Sequence, residues 1–180
     1  RILLVNPAIR PDSPKCILNV GLGYVGTALL EAGHEVQVLD IDAHRYSDNA
    51  VTSFIERNIY NFDAVGVGTL VSQYGWAKWL AKIIRYVHPT IPLIAGNTLA
   101  TSIPDHLLTN TEFDVAVLGE GEATVRELCY VLEEGGGPGD VPGLAWAGPY
   151  GVEHTAARPV IADIDSIPLP DYEQLFDLDI

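Results

Sequence analysis

The chain has 180 residues, 48% of them hydrophobic, enough for one sizeable core with a small appendage. Its formal charge of −14 repels phosphate backbones and anionic lipid surfaces, so neither nucleic acid nor membrane is an expected partner. No apolar run approaches the ~20 residues of a spanning helix, the opening residues do not read as a signal peptide, and Cys16 and Cys129 form no C-x-x-C pair, a combination that fits the reducing cytoplasm.

The first apolar run, "RILLVN" (Arg1 to Asn6), reads as strand 1. A proline-bearing loop follows, Pro7 to Asn19, and helix 1 is expected to start near Val20 to Gly23. "EVQVLDI" (Glu35 to Ile41) is strand 2, "AVGVGT" (Ala64 to Thr69) strand 3, "PLIAG" (Pro92 to Gly96) strand 4 and "VAVLGEG" (Val115 to Gly121) strand 5. These runs are near-continuous rather than alternating, as in strands buried on both faces. Between strands 3 and 4, Trp76, Trp79, Leu80, Ile83, Ile84 and Val87 recur at helical spacing on one stripe, which makes the tryptophans core residues rather than a ligand platform. A further helix carries Val125, Leu128, Cys129 and Leu132 and stops at "EEGGGPGD", with Gly135 as its C-cap. Beyond Asp140, "GLAWAG" and "GVEHTA" flank a Pro-Tyr-Gly turn and predict a short hairpin; an extended, proline-marked tail follows.

Strands alternating with helices predict an α/β fold: a doubly wound, five-stranded parallel sheet of order 2-1-3-4-5, Rossmann-like or flavodoxin-like, in three layers. Residues 1–139 are expected to form this domain, and 140–180 a hairpin and linker toward a further domain. The opening on an apolar strand and the closing "PLPDYEQLFDLDI" suggest a domain of a longer protein. In such folds ligands lie beyond the carboxyl ends of the strands. That rule selects the loops Pro7 to Asn19, Asp42 to Asp48, Thr69 to Gly75, Gly96 to Ser102 and Gly119 to Glu122.

One motif points elsewhere. Gly21, Gly23 and Gly26 spell G-x-G-x-x-G in "GLGYVG", and Asp40 ends the next apolar run, as in a dinucleotide-binding turn. That motif needs a strand ending at its first glycine. "KCILNV" is a weaker strand than "RILLVN" just upstream, and two parallel neighbours cannot follow each other without a crossover. The glycines then sit at the entry of helix 1, permitting close packing of helix on sheet or of backbone on a flat ligand. A nicotinamide-dinucleotide oxidoreductase domain remains the alternative. Asp42 and His44 form a D-x-H resembling a cobalt-ligating motif, but it follows strand 2 rather than strand 1, and Ser47 stands where that motif has glycine. The paired acids, aspartate and lysine of a phosphoacceptor receiver domain are missing from the strand ends.

The loops together offer small residues, hydroxyls and backbone amides, with no Ser/His/Asp or Cys/His arrangement, so no catalytic residue and no metal ligand is expected. Glu120 and Glu122 open the last helix, where the macrodipole favours carboxylates; helix capping is one reading of them. The set suits a large, amide-rimmed, nearly flat ligand.

"ILLVNP", "GLGYVGTALLEAGHEVQVLD", "GVGTLVSQY", the "IPLIAG" run with its Ala-Thr four residues on, "FDVAVLGEGEATVREL" and the closing "ADIDSIPLPDYEQL" resemble the N-terminal cobalamin (vitamin B12)-binding domain of B12-dependent radical S-adenosylmethionine proteins, over almost the whole chain. The departures are Asn97, where the family usually carries the second of two glycines, and Asn19-Val20, where prolines are common. The resemblance implies base-off cobalamin with no histidine from the protein on cobalt, the corrin over the strand ends and the nucleotide tail beside the sheet. It implies a lining of Asn6, Pro7, Leu22 and Gly23, then Thr69, Leu70, Val71 and Ser72, then Gly96, Asn97, Thr98 and Thr101, then Gly119, Glu120, Gly121 and Glu122. Thr69, Ser72 and Thr101 are the hydrogen-bond candidates, and Leu70 and Val71 would press on the lower corrin face. The implied partner is a radical S-adenosylmethionine catalytic domain in cis, carrying S-adenosylmethionine and a 4Fe-4S cluster on a C-x-x-x-C-x-x-C motif that this chain lacks. The full-length activity implied is methyl transfer or cyclisation, with this portion inactive alone.

Overall fold

A computed structural model describes residues 1–10 and 18–178. Part of the Pro7 to Asn19 loop, with Cys16, lies outside the described residues, as does the first half of "KCILNV". The elements in chain order are β1 (Ile2–Asn6), α1 (Val20–Glu31), β2 (Val36–Asp40), α2 (Ile41–His44), α3 (Asp48–Asn58), β3 (Ala64–Gly68), α4 (Tyr74–Val87), β4 (Leu93–Gly96), α5 (Asn97–Ser102), α6 (Pro104–Asn110), β5 (Val115–Val117), α7 (Glu122–Glu133), β6 (Leu144–Gly148), β7 (Gly151–His154) and α8 (Tyr172–Leu175).

One sheet runs β2-β1-β3-β4-β5-β6-β7. Its first five strands are parallel in the expected order, and helical crossovers link them. The expected hairpin forms as β6 and β7, but it is not a separate appendage to the sheet. β6 pairs antiparallel with β5, Ala116 opposite Ala145, so the sheet has seven strands rather than five. Backbone groups along the outer side of β5 would otherwise be left to a buried edge; the antiparallel pair satisfies them.

Side chains alternate across the pleat. Leu3, Val5, Val65, Val67, Leu93 and Ala95 face the layer of α3, α4, α5 and α6. Ile2, Leu4, Ala64, Ile94, Val115 and Val117 face α1, α7 and α8. Trp76 and Trp79 pack half-buried against the first of these clusters, in keeping with their helical spacing. The second layer positions the site.

The tail from Ala156 is largely extended as far as α8, in keeping with its prolines, yet it is bound down along this second layer. Ala156 accepts from Gly143 N–H at 2.8 Å. Arg158 pairs with Glu127 and donates from Nε to the Pro142 carbonyl. Ile161 N–H donates to Glu120 Oε2 at 2.7 Å, and Asp171 N–H to Thr27 Oγ1 at 2.7 Å. Leu175 and Phe176 are buried against α1.

That docking explains two of the three motif glycines. A Cβ at Gly23 would lie 2.7 Å from the Tyr172 ring and 3.1 Å from Pro170 Cβ; one at Gly26 would lie 2.7 Å from Leu175 Cδ1. The pair, three residues apart, clears a groove on α1 that the C-terminal segment fills. Both positions therefore pack against the C-terminal segment.

Candidate functional site

On the β1, β3, β4 and β5 face, three glycines stand where side chains would otherwise cover the sheet. Gly66 and Gly68 alternate along β3, and Gly96 is the register partner of Gly68 on β4. Strand periodicity puts all three on the side of Leu4 and Ile94. Leu4 leans over Gly66, where a Cβ would meet its Cδ2 at 2.8 Å, but a Cβ at Gly96 would meet nothing within 4 Å. The result is a cavity of about 340 Å³ between the sheet and the helices α1 and α7. Its floor is Ile2, Leu4, Ile94, Val117 and the glycines; its walls are Leu22, Val25 and Leu29 from α1 and Val125 and Cys129 from α7. At the carboxyl ends of the strands it reaches Asn19, Gly21, Asn97 and the segment Gly119, Glu120, Gly121 and Glu122. Burial pushes the Cys129 thiol up to about 11, so near neutral pH it is a protonated, apolar part of the wall.

The polar groups at the strand ends form a fixed frame. Asn6, 1% exposed, donates to Asp40 Oδ1 at 2.8 Å and accepts from Asn19 Nδ2 at 2.9 Å. Asn19 caps α1 by accepting from Leu22 N–H, and Asp40 caps α2 by accepting from Ala43 N–H. Both motif residues that a nicotinamide site would use are thus engaged inside the protein: Asp40 by the frame, the later glycines by the C-terminal segment. The dinucleotide alternative finds no support.

Of the residues the resemblance implies, Leu22, Gly96, Asn97, Gly119, Glu120, Gly121 and Glu122 line the cavity. Asn6 lies behind it in the hydrogen-bonded frame, buried Pro7 follows β1, and Gly23 faces the C-terminal segment. Thr69, Leu70, Val71 and Ser72 form the turn after β3, with Val71 and Ser72 exposed and Leu70 half-buried. Thr98 and Thr101 are exposed on α5; Thr101 Oγ1 accepts from Gly119 N–H at 3.0 Å and so joins two of the loops. Leu99 N–H donates to the Thr69 carbonyl, and Gln73 Nε2 to the Ala8 carbonyl, which joins the others. Thr69 is 1% exposed, and among the described residues its hydroxyl has no hydrogen-bond partner, nor does the buried Oε2 atom of Glu122. His44 stacks on Tyr46 beyond β2, and no histidine lines the cavity.

Asn97 stands in the left-handed region at φ +64°, its Oδ1 accepting from Thr98 N–H. This is why glycine is common at that position in the resembled family and why asparagine, the side chain most tolerant of αL, can replace it.

The sequence reading missed the deep lining: Ile2, Leu4, Val25, Leu29, Gly66, Gly68, Val125 and Cys129. A signal was present in "AVGVG". Two glycines at strand spacing remove side chains from one face only, which marks a place where another group can approach the sheet closely.

The family model for the B12 binding domain matches residues 9–129. Among curated relatives, the anaerobic magnesium-protoporphyrin IX monomethyl ester cyclase of Synechocystis sp. is 30% identical over 92% of this chain and 34% of its own length. The cytidylyl-2-hydroxyethylphosphonate methyltransferase of Streptomyces wedmorensis is 28% identical over 81% of this chain and 31% of its own. An uncharacterised methyltransferase of Pyrococcus horikoshii is 29% identical over 97% and 39%. The chain therefore spans about a third of the length of these relatives. Among solved structures, the radical S-adenosylmethionine methyltransferase TsrM of Kitasatospora setae, with cobalamin and a [4Fe-4S] cluster bound, superposes with a TM-score of 0.74 at 23% identity, over 93% of this chain and 30% of its own. The cobalamin-dependent S-adenosylmethionine radical enzyme OxsB with aqua-cobalamin bound gives 0.78 at 21% identity, over 94% and 24%. These two likenesses establish the shared fold.

Proposed function

We propose that this chain, which belongs to the B12-binding domain family, holds cobalamin with its nucleotide tail in the cavity between α1 and α7 and its corrin across the carboxyl ends of β1, β3, β4 and β5. The observation that carries this is the cavity cleared by Gly66, Gly68 and Gly96. At about 340 Å³ it sits near the lower end of ligand pockets, about 300–1,000 Å³. A whole corrinoid is far too large for it, whereas a flat aromatic base with its sugar suits an apolar slot of that size. The wide macrocycle then lies outside, over the exposed loops.

A base held in the slot is no longer on cobalt, so the bound form is base-off. With no histidine lining the cavity to take its place, the lower cobalt face meets the apolar turn of Leu70 and Val71. The partnerless buried hydroxyl of Thr69 is placed to serve a polar group of the ligand, as is the exposed Ser72 on the same turn; Thr101 keeps its own proton available while accepting from Gly119. The chemistry that cobalamin supplies when bound is a cobalt–carbon bond; these residues bind, orient and keep water from the slot.

The catalytic half lies in cis: a radical S-adenosylmethionine domain with its own S-adenosylmethionine and 4Fe-4S cluster, in a methyltransferase or a cyclase. The curated relatives, about three times longer and named for those two reactions, support this. The charge of −14 disfavours nucleic acid as a partner and fits a cytoplasmic enzyme; among the described residues no helix is long and apolar enough to cross a membrane.

Calorimetric titration tests the reading. Cobalamin binds saturably, while cobinamide, which lacks the nucleotide tail, binds at least about tenfold more weakly because it forgoes burial of an aromatic base. NADH gives no heat of binding. Equal affinity for the two corrinoids, or none for either, contradicts the proposal.

A further inference from the structure

We infer that Glu122 is the residue by which the cavity selects a corrinoid with a complete nucleotide tail, its buried carboxylate oxygen accepting a hydrogen bond from a hydroxyl or N–H donor on that tail. The inference rests on the cavity being the tail site.

Among the polar side chains lining the cavity, three are committed to the protein. Asn19 accepts from Leu22 N–H and donates to Asn6. Asn97 accepts from Thr98 N–H. Glu120 accepts from Ile161 N–H and anchors the C-terminal segment. The Cys129 thiol is protonated and weak as a hydrogen-bonding group. Glu122 differs: its Oε2 atom is buried and has no hydrogen-bond partner among the described residues. A buried carboxylate oxygen without a donor is unfavourable, and native proteins retain few such atoms. Glu122 begins α7, where the aligned N–H groups favour a negative charge, which makes the site tolerable without satisfying that oxygen. A ligand donor entering the slot would satisfy it.

The sign of the charge narrows the donor. A carboxylate accepts only, so it repels the tail's phosphate diester, and Glu120 beside it adds to that repulsion. The group that meets Glu122 is therefore on the sugar or base end of the tail: a ribose hydroxyl, or the ring N–H of a base protonated once it has left cobalt. Amide N–H groups at the corrin rim are the other possible source, and cobinamide, which keeps the rim and lacks the nucleotide, separates the two.

The test measures cobalamin and cobinamide affinity by calorimetry for the unsubstituted protein, Glu122→Ala and Glu122→Gln, with the melting temperature of each ligand-free protein. Glu122→Ala weakens cobalamin about tenfold or more, as expected for losing a charge-assisted hydrogen bond, and leaves cobinamide unchanged. Glu122→Gln keeps an acceptor oxygen and falls between. Neither variant melts measurably lower than the unsubstituted protein, because relieving the unsatisfied Oε2 atom offsets the loss of a negative charge at the start of α7. Unchanged cobalamin affinity in Glu122→Ala overturns the inference. So do equal losses on both corrinoids with a lowered melting temperature, which would identify a helix cap. If the unsubstituted protein binds cobalamin no better than cobinamide, the tail site itself fails and the inference falls with it.

Discussion

Gly96→Leu leaves the fold standing and weakens cobalamin binding by about a hundredfold. Gly96 ends β4 in an extended conformation (φ −135°, ψ −172°) that any residue adopts, and its register partner is Gly68, so no side chain on β3 opposes a new one. A Cβ there meets nothing within 4 Å, and the position lines the cavity. A leucine therefore grows into the empty slot. The ligand-free protein melts at the same temperature or higher, since the substitution buries apolar surface and removes glycine's backbone entropy. The ligand tail must then share or displace that leucine. Overpacking of that kind costs about 1–3 kcal/mol in a protein interior, so cobalamin affinity falls by about a hundredfold. A variant that folds and binds cobalamin as tightly as the unsubstituted protein would place the tail elsewhere.

The second large effect concerns the C-terminal segment. Gly26→Val drives a β-branched side chain into Leu175, whose Cδ1, Cδ2 and Cγ lie 2.7, 2.8 and 3.4 Å from a Cβ at that position. Leu175 and Phe176 are each 6% exposed, so neither can swing aside without leaving the core. The segment from Pro170 to Phe176 is released from α1, the hydrogen bond from Asp171 N–H to Thr27 is lost with it, and stability falls by about 2–4 kcal/mol. Limited proteolysis then cuts near Tyr172 well before the rest of the chain. An unchanged melting temperature with an intact C-terminal segment would contradict the packing described.

Comparing sequence with structure, the parallel sheet was legible because strands buried on both faces are continuous apolar runs with no competing period. "RILLVN" and "PLIAG" have no polar face to confuse with a helix. The antiparallel attachment of β6 was not legible. "GLAWAG" and "GVEHTA" announce a hairpin through their turn, but pairing of Ala145 with Ala116 is a long-range choice that local periodicity does not encode. The rim of the site was readable from the strand-end rule, which selected the loops carrying Gly96, Asn97 and Gly119 to Glu122. The resemblance implied a tail beside the sheet, but the lining of that slot was not legible, because the strand-end rule passes over the middle of a strand, where Gly66 lies. Gly23 illustrates the converse. Its motif context suggested a ligand, and its partner proved to be Tyr172, 149 residues further on, a contact that no pattern within α1 specifies.

The central claim is that the nucleotide tail leaves cobalt and enters the slot between α1 and α7. The visible absorption spectrum of hydroxocobalamin reports that displacement directly, because the lower axial base perturbs the corrin's electronic bands. Titration with the purified protein should move the spectrum to the base-off form, saturating at one equivalent, whereas Gly96→Leu should need about a hundredfold more protein for the same shift. A spectrum identical to that of free hydroxocobalamin at saturating protein would contradict the account.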